Sequence, residues 1–420
     1  MNCPDATQPV ACPDPQASPR LDGKRVLIIV ENLPVPFDRR VWQQARSLCD
    51  AGAEVSVICP KGHGCDTSYE QRDGVHIYRH PLPIEARSAA GYLVEYPVAL
   101  FWETMLAWKI FLTRGFDVIH ACNPPDLIFL IALPFKLFGK KFIFDHHDIN
   151  PELYEAKFRR KGFFWRLLCQ FEKLTFRCAD ISIATNESYR EIAIKRGGMD
   201  PQKVFVVRSG PDLSRLVSFS PVSSWRNGRA HMVGYVGVMA EQEGIDLLLD
   251  CVGYIVEKIG RSDIQFVLVG GGPSLESLKA GARSRGLEDY VTFTGRAPEE
   301  ALIEVLSTMD IGVNPDRVNA MNDKSTMNKI MEYMAMAKSI VQFDVTEGRF
   351  SAGDASLYAA ANDPVDLAAK IVTLIDDPER RAAMGETGRK RVVEKLGWEH
   401  QVAPLIAAYR AVFSLQSPSR

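Results

Sequence analysis

Two apolar runs, Val26-Leu-Ile-Ile-Val30 and Glu54-Val-Ser-Val-Ile-Cys59, flank a loop at 31–38 and a helix-forming segment at 39–51. Continuous apolar runs of this length are typical of strands that are buried on both faces of a parallel sheet. The order strand, loop, helix, strand predicts right-handed crossovers between parallel strands. In such sheets ligands bind at the carboxyl ends of the strands, so the 31–38 loop is expected beside a binding site.

The same order of elements continues to about residue 208 and restarts at Val233-Gly-Tyr-Val-Gly237. A chain of 420 residues is too long for one ordinary core, and its 46% apolar and 24% charged residues are typical of a soluble globular protein. We therefore expect an α/β protein with two doubly wound, Rossmann-like domains facing each other across a cleft. The predicted parts are a disordered tail at 1–22, an N-terminal domain at 23–208, a C-terminal domain at 209–396, and a helix at 397–420 that crosses back to the N-terminal domain and ends in a frayed tail.

Composition and charge exclude several classes of protein. The net charge of −2 shows no excess of basic residues of the kind that binds nucleic acid. The nine cysteines are scattered without the spacing of zinc sites, as in reduced intracellular proteins. No apolar run is long enough to span a bilayer, and the N-terminus has no signal-peptide pattern. We expect the cytoplasm as the compartment.

A second stretch, at 323–337 (DKSTMNKIMEYMAMA), predicts a helix with one polar side and one buried side. Ser325 or Thr326 is the expected N-cap. The polar side would carry Ser325, Asn328, Lys329 and Glu332, and the side packed on the sheet would carry Ile330, Met331 and Met334.

The start of this helix is a predicted phosphate site, because free backbone N–H groups and the helix dipole attract anions. Lys324 and Lys329 add positive charge, and Glu332 lies one to two turns further, at a depth that suits ribose hydroxyls. The pattern favours a nucleotide-diphosphate site. The alternative is a solvated polar helix face.

A strand at 141–148 ends in His146 and His147, which are flanked by two aspartates. Imidazoles at the carboxyl end of a buried strand are expected to point into the ligand crevice, where they can hydrogen-bond sugar hydroxyls or stabilise a reacting oxygen. A metal site is one alternative, although adjacent side chains of a strand point in opposite directions. A pair packed in the core is the other.

Two basic features are also candidates. Arg39 and Arg40, at the rim of the 31–38 loop, could hold an anionic substrate or form plain surface. Residues 157–177 (KFRRKGFFWRLLCQFEKLTFR) interleave basic and aromatic residues, which predicts either an amphipathic helix on an anionic membrane surface or a surface helix packed on its own domain.

With these motifs in place, the chain resembles the family 4 glycosyltransferases, which are retaining enzymes of the GT-B fold. The resemblance extends from about Lys24 to Phe413 and depends on an ordered set of motifs: FIFDHH (142–147), SGPD (209–212), GYVG (234–237), LVGGGP (268–273), FTGR (293–296) and NKIMEYMA (328–335). The segments PFDRRVWQQA (36–45) and DHHDINPELYEA (145–156) resemble the branch that builds cell-surface polysaccharides and lipid-linked glycans.

The resemblance implies roles by position. Glu332 matches the second acid of the family's E-x7-E motif, which binds the donor's ribose, and Arg296 matches the wall of the nucleobase pocket. His146 matches the strand-end histidine that contacts the donor sugar. The implied assignment has three sets: catalytic His146, Lys324 and Lys329; donor-binding Gly237, Gly271, Arg296, Asn328 and Glu332; and acceptor-side Arg39, Arg40 and His147.

The chain departs from the family at the phosphate clamp. The first Glu of E-x7-E is replaced by Lys324, and the usual Arg and Lys after the strand–glycine loop are Val238 and Glu243. Our hypothesis is that Lys324, Lys329 and the helix start supply the lost charge.

The resemblance implies a metal-independent, retaining transfer of a sugar from a nucleotide-diphosphate donor to a lipid-linked or polysaccharide acceptor, with no cofactor. The N-terminal domain would bind the acceptor and the C-terminal domain the donor, with possible peripheral contact with the inner membrane surface. The alternatives are a sugar-nucleotide 2-epimerase and a non-catalytic partner subunit of the same fold.

Overall fold

The computed structural model describes residues 20–81, 89–216 and 219–415. Its chain divides into two compact units, the first ending at Ile119 and the second beginning at His120. The domain boundaries expected from the sequence stay a prediction. Most of the expected disordered tail at 1–22, and most of the expected frayed end at about 414–420, lie outside the described residues.

The first unit is built on the strand–loop–helix–strand order that the sequence predicts. Asp38 caps the first helix, since its carboxylate accepts the backbone N–H of Val41 at 3.0 Å. The elements are β1 (Arg25–Ile29), α1 (Arg39–Asp50), β2 (Glu54–Pro60), β3 (Tyr69–Arg72), β4 (Val75–His80) and α2 (Ala89–Thr113). The strand order is β3-β4-β2-β1, with β1, β2 and β4 parallel and β3 antiparallel to β4.

The second unit starts inside strand β5 and contains the rest of this first sheet. The elements are β5 (Val118–Cys122), α3 (Phe129–Lys136), β6 (Lys141–His146), α4 (Asn150–Phe158), α5 (Phe163–Cys178), β7 (Ile181–Ala184), α6 (Glu187–Lys195) and β8 (Val204–Val206). These four strands follow one another in the order β5-β6-β7-β8, and β6, β7 and β8 pair in parallel.

The single basic helix expected at 157–177 is two helices. Helix α4 ends at Phe158, Arg159 takes a left-handed conformation with φ of 52°, and α5 begins only after Gly162. Lys157–Gly162 therefore form the end of one helix and an exposed connection rather than an amphipathic helix.

The second sheet is entirely parallel. Its strands are β9 (His231–Val236), β10 (Ile264–Val269), β11 (Val291–Gly295), β12 (Ile311–Asn314), β13 (Ser339–Phe343) and β14 (Ser356–Ala359). Its helices are α7 (Ile245–Tyr254), α8 (Leu275–Ser284), α9 (Glu299–Thr308), α10 (Asn328–Ala335), α11 (Thr346–Ala352), α12 (Pro364–Ile375) and α13 (Pro378–Arg391). The order β11-β10-β9-β12-β13-β14 reverses direction between β9 and β12, which is where doubly wound sheets bind ligands.

Both faces of this sheet are covered, as the continuous apolar strands predict. One core contains buried residues of α7, α8 and α12, and the other contains those of α9 and α10. Ile330, Met331 and Met334 of α10 lie in the second core and are almost completely buried, so the expected buried side of this helix is confirmed.

The last described helix, α14 (Glu399–Ser414), packs against β6, β7 and β8 of the first sheet. Within the described ranges, no helix combines the length and the apolar content that crossing a membrane requires.

Candidate active site

Three loops meet at the carboxyl ends of β9, β10 and β11. The backbone N–H of Met239 donates to the carbonyl of Gly271 at 2.8 Å, and that of Gly270 donates to the carbonyl of Gly295 at 2.9 Å. A Cβ on Gly270 would lie only 1.8 Å from the carbonyl oxygen of Gly237. Glycine is therefore required there so that the two loops can approach each other, and the predicted donor-site residues Gly237 and Gly271 are brought together.

Arg296 directly follows Gly295 and is exposed. Its Cβ lies 3.9 Å from where a Cβ on Gly271 would lie, which places the arginine beside the glycine turn. The structure thus brings Arg296 to the same edge of the sheet as Gly237 and Gly271.

The start of α10 differs from the expectation. The helix begins at Asn328 with Met327 as its N-cap, so the predicted caps Ser325 and Thr326 are wrong. Both hydroxyls have other partners: Ser325 Oγ donates to the carbonyl of Met321 at 2.9 Å, and Thr326 Oγ1 accepts from Asn186 Nδ2 at 2.9 Å.

The polar side of α10 is correspondingly shorter than expected. Asn328, at its first position, is exposed, and Glu332 is half-buried one turn later. Lys324 lies in the turn before the helix, where its Nζ donates to the carbonyl of Ala320 at 3.1 Å.

Lys329 is enclosed in a cluster that the sequence analysis did not foresee. Its Nζ lies 2.7 Å from Glu243 Oε2 and 2.7 Å from Asp316 Oδ1, and 4.9 Å from the centroid of the Tyr235 ring. The lysine is 8% exposed. Glu243 follows β9 and Asp316 follows β12, so the cluster lies at the point where the strand order reverses.

The protonation states follow from burial and proximity. Burial raises the pKa of Asp316 to about 8, against the opposing effect of Lys329 and with the help of the Glu243 charge. Burial also favours neutral Glu243, but the Lys329 ammonium and three hydrogen bonds outweigh it and lower the pKa of Glu243. Lys329 stays charged because its two carboxyl neighbours raise its pKa despite burial.

The Lys329 ammonium therefore lies between the Glu243 carboxylate and a second carboxyl group, Asp316, whose protonated form is favoured by burial. The Lys329 ammonium is thus paired within the chain, and these pairs hold the ends of β9 and β12 together. The hypothesis that Lys329 helps to supply charge for the donor phosphates stays a prediction.

His146 and His147 lie on opposite sides of β6, as strand alternation requires. The His146 ring is fully buried, with its Nε2 3.3 Å from Glu172 Oε1 and its centroid 5.1 Å from those of Phe176 and Tyr189. The expectation that His146 points into a ligand crevice is therefore wrong, since its side chain points at α5 and α6. The side chain of His147 keeps 14% exposure and is the accessible member of the pair.

His147 ends a buried hydrogen-bonded chain. Asp145 Oδ2 lies 2.9 Å from His147 Nε2 and 3.2 Å from His120 Nε2, and His120 Nδ1 lies 2.7 Å from the Tyr409 hydroxyl. If both imidazoles carry their proton on Nε2, each donates to the carboxylate, and the tyrosine donates to His120 Nδ1. Burial and the Asp145 charge raise the pKa of Tyr409, so its hydroxyl stays a donor.

Asn123 fixes the backbone beside this chain. Its buried Oδ1 accepts the backbone N–H of His147 at 2.7 Å and that of Asp148 at 3.1 Å. Sequence reasoning did not select Asn123, Asp145, His120 or Tyr409. The alternation of side chains along a strand was the signal that could have selected them. His120 and Cys122 share one face of β5, and Asp145 and His147 share one face of the strand at 141–148.

One group in the described part of the chain has spacing suited to a metal ion. His120, Cys122 and Asp145 are buried and each offers a ligand atom within 4.8 Å of the others. The imidazole and the carboxylate also have the hydrogen-bond partners described above, so the chain itself satisfies them. The predicted absence of a metal stays a prediction.

The start of α6 is tied to the turn before α10 and to α11. Asn186 Nδ2 donates to the carbonyl of Lys324 at 2.8 Å. Glu347 accepts from the Ser188 hydroxyl at 2.7 Å and lies 3.2 Å from Arg208 Nη1. These buried or half-buried contacts fix the Lys324 turn against α6.

Arg39 and Arg40 are in a different unit from the other candidates. They are the first two residues of α1, with Arg39 exposed and Arg40 buried. Their predicted role on the acceptor side stays a prediction.

Two family models match the chain, one for each sheet. Residues 38–215 match the model described as glycosyltransferase family 4, and residues 230–377 match glycosyl transferases group 1. The chain therefore contains a glycosyltransferase family 4 domain followed by a glycosyl transferases group 1 domain. These matches support glycosyltransferase activity with a nucleotide-sugar donor.

Curated relatives are distant. The α-maltose-1-phosphate synthase of Mycolicibacterium smegmatis is 24% identical over 305 residues, which cover 66% of this chain and 74% of that protein. The α-D-kanosaminyltransferase of Streptomyces kanamyceticus is 27% identical over 183 residues, which cover 43% of this chain and 46% of that protein. The chain thus spans about half the length of several relatives that it matches.

Solved structures show the same fold. The sucrose-phosphate synthase of Thermosynechococcus elongatus superposes with a TM-score of 0.77 at 19% identity, covering 93% of this chain and 99% of that one. HepE from Anabaena, in complex with UDP and glucose, superposes with a TM-score of 0.69 at 15% identity, covering 93% of this chain and 100% of that one. The expected GT-B fold of two Rossmann-like, parallel-sheet domains is confirmed.

Proposed function

We propose that this glycosyltransferase moves a sugar, with retention at the anomeric carbon, from a nucleotide diphosphate to a lipid-linked or polysaccharide acceptor in cell-envelope or exopolysaccharide biosynthesis. The observation that carries the proposal is the meeting of the Gly237 loop, the Gly271 turn and the Lys329 cluster where the strand order of the second sheet reverses. The relatives named above as synthases and transferases support the reaction class.

In this proposal the donor lies along the carboxyl edge of the second sheet. The backbones of Gly237 and Gly271 approach the diphosphate, because glycine removes the side chain that would obstruct it. Glu332 binds the ribose, and the exposed Arg296 forms one wall of the nucleobase pocket. Asn328 lies at the start of α10, where free backbone N–H groups favour an anion.

Positive charge for the diphosphate comes from Lys324 and the start of α10, and Lys329 acts as an internal anchor. A helix start contributes about half a positive charge, and one lysine adds a full one. We propose that this suffices without a metal ion. Activity that is unchanged after treatment with EDTA, at the same donor concentration, is the expected result.

The strand-end histidine that contacts the donor sugar is His147 in this proposal, in place of His146. The acceptor hydroxyl attacks the anomeric carbon from the side on which the diphosphate leaves. The leaving phosphate oxygen accepts the acceptor's proton, so no protein nucleophile is needed. Arg39 and Arg40 stay candidates for the acceptor side.

The site of action follows from the acceptor. We propose a cytoplasmic protein that works at the inner membrane surface as a peripheral protein, since a lipid-linked acceptor is held there.

The first experiment is a thermal-shift screen of the full chain with UDP, GDP, ADP and dTDP. A nucleotide at a hundred times its dissociation constant stabilises the folded state by about 2.7 kcal/mol. We expect one nucleotide to raise the melting temperature more than the other three, and the Glu332→Ala variant should lose that rise. Glu276→Ala, on an exposed position of α8, is the matched control and should keep it.

The pairing of Lys329 with Glu243 and Asp316 favours one rival, a non-catalytic partner subunit. If no nucleotide raises the melting temperature of the protein, although the protein unfolds cooperatively, the result would support that rival and contradict the transferase proposal. An epimerase would bind UDP equally well, but it would convert its nucleotide sugar without any acceptor. Analysis of products after incubation with donor alone separates the two.

A further inference from the structure

The segment Lys157–Arg166, here called the 157–166 surface, joins the end of α4 to the first turn of α5. Ten consecutive residues contain five cations and three exposed phenylalanines. The cations are Lys157, Arg159, Arg160, Lys161 and Arg166, and the phenylalanines are Phe158, Phe163 and Phe164.

The phenylalanines are unusually exposed. Phe158, Phe163 and Phe164 are 47%, 74% and 57% exposed, and the rings of Phe163 and Phe164 are 5.7 Å apart edge to face. Scattered apolar side chains on a surface need no explanation, but adjoining ones mark a site of interaction. Three such rings within seven residues form an adjoining group.

The surface is also locally positive, in a chain with a net charge of −2. Two carboxylates lie near it: Glu155 is 3.3 Å from Lys161, and Glu241 is 3.7 Å from Arg159. Both pairs are partly or largely exposed and therefore weak. The five cations of the surface outnumber these two carboxylates by three.

We propose that the 157–166 surface docks the protein on an anionic lipid bilayer. Cations interleaved with exposed rings suit a membrane interface, where the rings enter the acyl boundary and the cations remain among anionic headgroups. An acidic protein would complement the charge but would leave the three rings without an apolar partner.

A cavity adjoins this surface and shares two residues with it. The cavity has a volume of about 370 Å³, and its wall contains Lys157, Arg159 and the loops after β9 and β12. Gln242 in that wall is followed directly by Glu243 of the Lys329 cluster. A docked protein would hold this cavity at the headgroup level, where an anionic headgroup of a lipid-linked acceptor can enter beside the donor site.

The entry of an acceptor headgroup into the cavity rests on the proposed function, whereas docking on the bilayer does not. Docking is measured without donor or acceptor, so its failure is distinguishable from failure of the transferase proposal. A chain that responds to a nucleotide but not to lipid would refute docking alone.

The test is co-sedimentation of the full chain with vesicles of phosphatidylcholine, with and without 30 mol% phosphatidylglycerol, at ~0.1 M salt. Each net cation near an anionic surface contributes about 1 kcal/mol, or roughly fivefold, so three should strengthen binding on the order of a hundredfold. Arg159→Glu with Arg160→Glu should abolish the preference for phosphatidylglycerol. Lys258→Glu with Arg283→Glu, at exposed positions on the second sheet's helices, is the charge-matched control and should keep it.

The rings are tested separately. Phe163→Ser with Phe164→Ser should weaken binding to both kinds of vesicle at least tenfold without lowering the melting temperature, since both rings are exposed. Phe219→Ser, another exposed phenylalanine, is the control and should bind as the wild type does. Wild-type binding that is equal for both lipid mixtures, or that is unaffected by the Arg159 and Arg160 changes, would overturn the proposal.

Discussion

The Lys329 cluster makes a quantitative prediction about non-additive substitutions. Glu243 and Asp316 each place an oxygen 2.7 Å from the Lys329 ammonium, and burial together with the Glu243 charge raises the pKa of Asp316 to about 8. Because the charge of Glu243 helps to keep Asp316 protonated, Glu243→Gln should let Asp316 ionise in its place. In Asp316→Asn, Glu243 remains the counter-ion. Each single change should therefore cost only about 1 kcal/mol, the net value of one hydrogen bond.

The double variant Glu243→Gln/Asp316→Asn leaves Lys329 buried with no carboxylate. Leaving a buried charge without its partner costs about 3–5 kcal/mol. At about 2–4 °C per kcal/mol for a unit of 150–250 residues, the melting temperature should fall by roughly 6–20 °C, against roughly 2–4 °C for either single variant.

The assay is thermal unfolding of the wild type, both single variants and the double variant at pH 7. Glu191→Gln, which breaks the largely exposed pair with Lys195, is the control and should change the melting temperature very little. A nucleoside diphosphate should stabilise the double variant more than the wild type, because its phosphates replace the lost negative charge. A double variant whose loss equals the sum of the single losses would refute the reasoning.

Three further predictions concern pH, the histidine chain and the glycine turn. Burial raises the folded-state pKa of Asp316 above its unfolded value, so the protonated form of Asp316 stabilises the fold. That stabilisation is lost as pH rises from about 4 through about 8. The difference between the melting temperatures of the wild type and Asp316→Asn should therefore fall between pH 6 and 9. Asp145→Asn should remove the carboxylate that accepts from His147 Nε2, which should be visible in the nitrogen shifts of the imidazole, and it should lower kcat more than it changes the KM for the donor. Gly270→Ala should lower the melting temperature by roughly 5 °C or more, because the new Cβ would clash with the carbonyl of Gly237.

Most of the fold was predictable from local patterns. Runs such as Val26–Val30 become buried parallel strands because side chains on both faces must be apolar, and that requirement is visible in the sequence. The buried side of α10 followed from helical spacing in the same way. Boundaries were less predictable, since Arg159 and Gly162 interrupt a run whose composition is uniformly helical and basic.

The candidate site was only partly predictable. Gly237, Gly271 and Arg296 lie at one edge of the second sheet because each follows a strand of that sheet, an arrangement that the order of strands in the sequence predicts. The ion pair between Lys329 and Glu243 was not predictable, because Glu243 lies far from Lys329 in the sequence. The two residues become neighbours only because β9 and β12 are adjacent in the sheet. The choice between His146 and His147 depends on which face of β6 is covered by α5, and strand alternation alone does not say which.

The position of Tyr409 in the last described helix affects when the histidine site can be completed during translation. Helix α14 follows every other described element, so a ribosome has finished all strands of both sheets before it makes this residue. Until then the nascent chain contains His120, Asp145 and His147 without the tyrosine donor 2.7 Å from His120 Nδ1. The complete hydrogen-bonded chain can therefore form only after Tyr409 has been made, and a stop codon before Tyr409 would leave the strands of both sheets without the tyrosine donor of the histidine site.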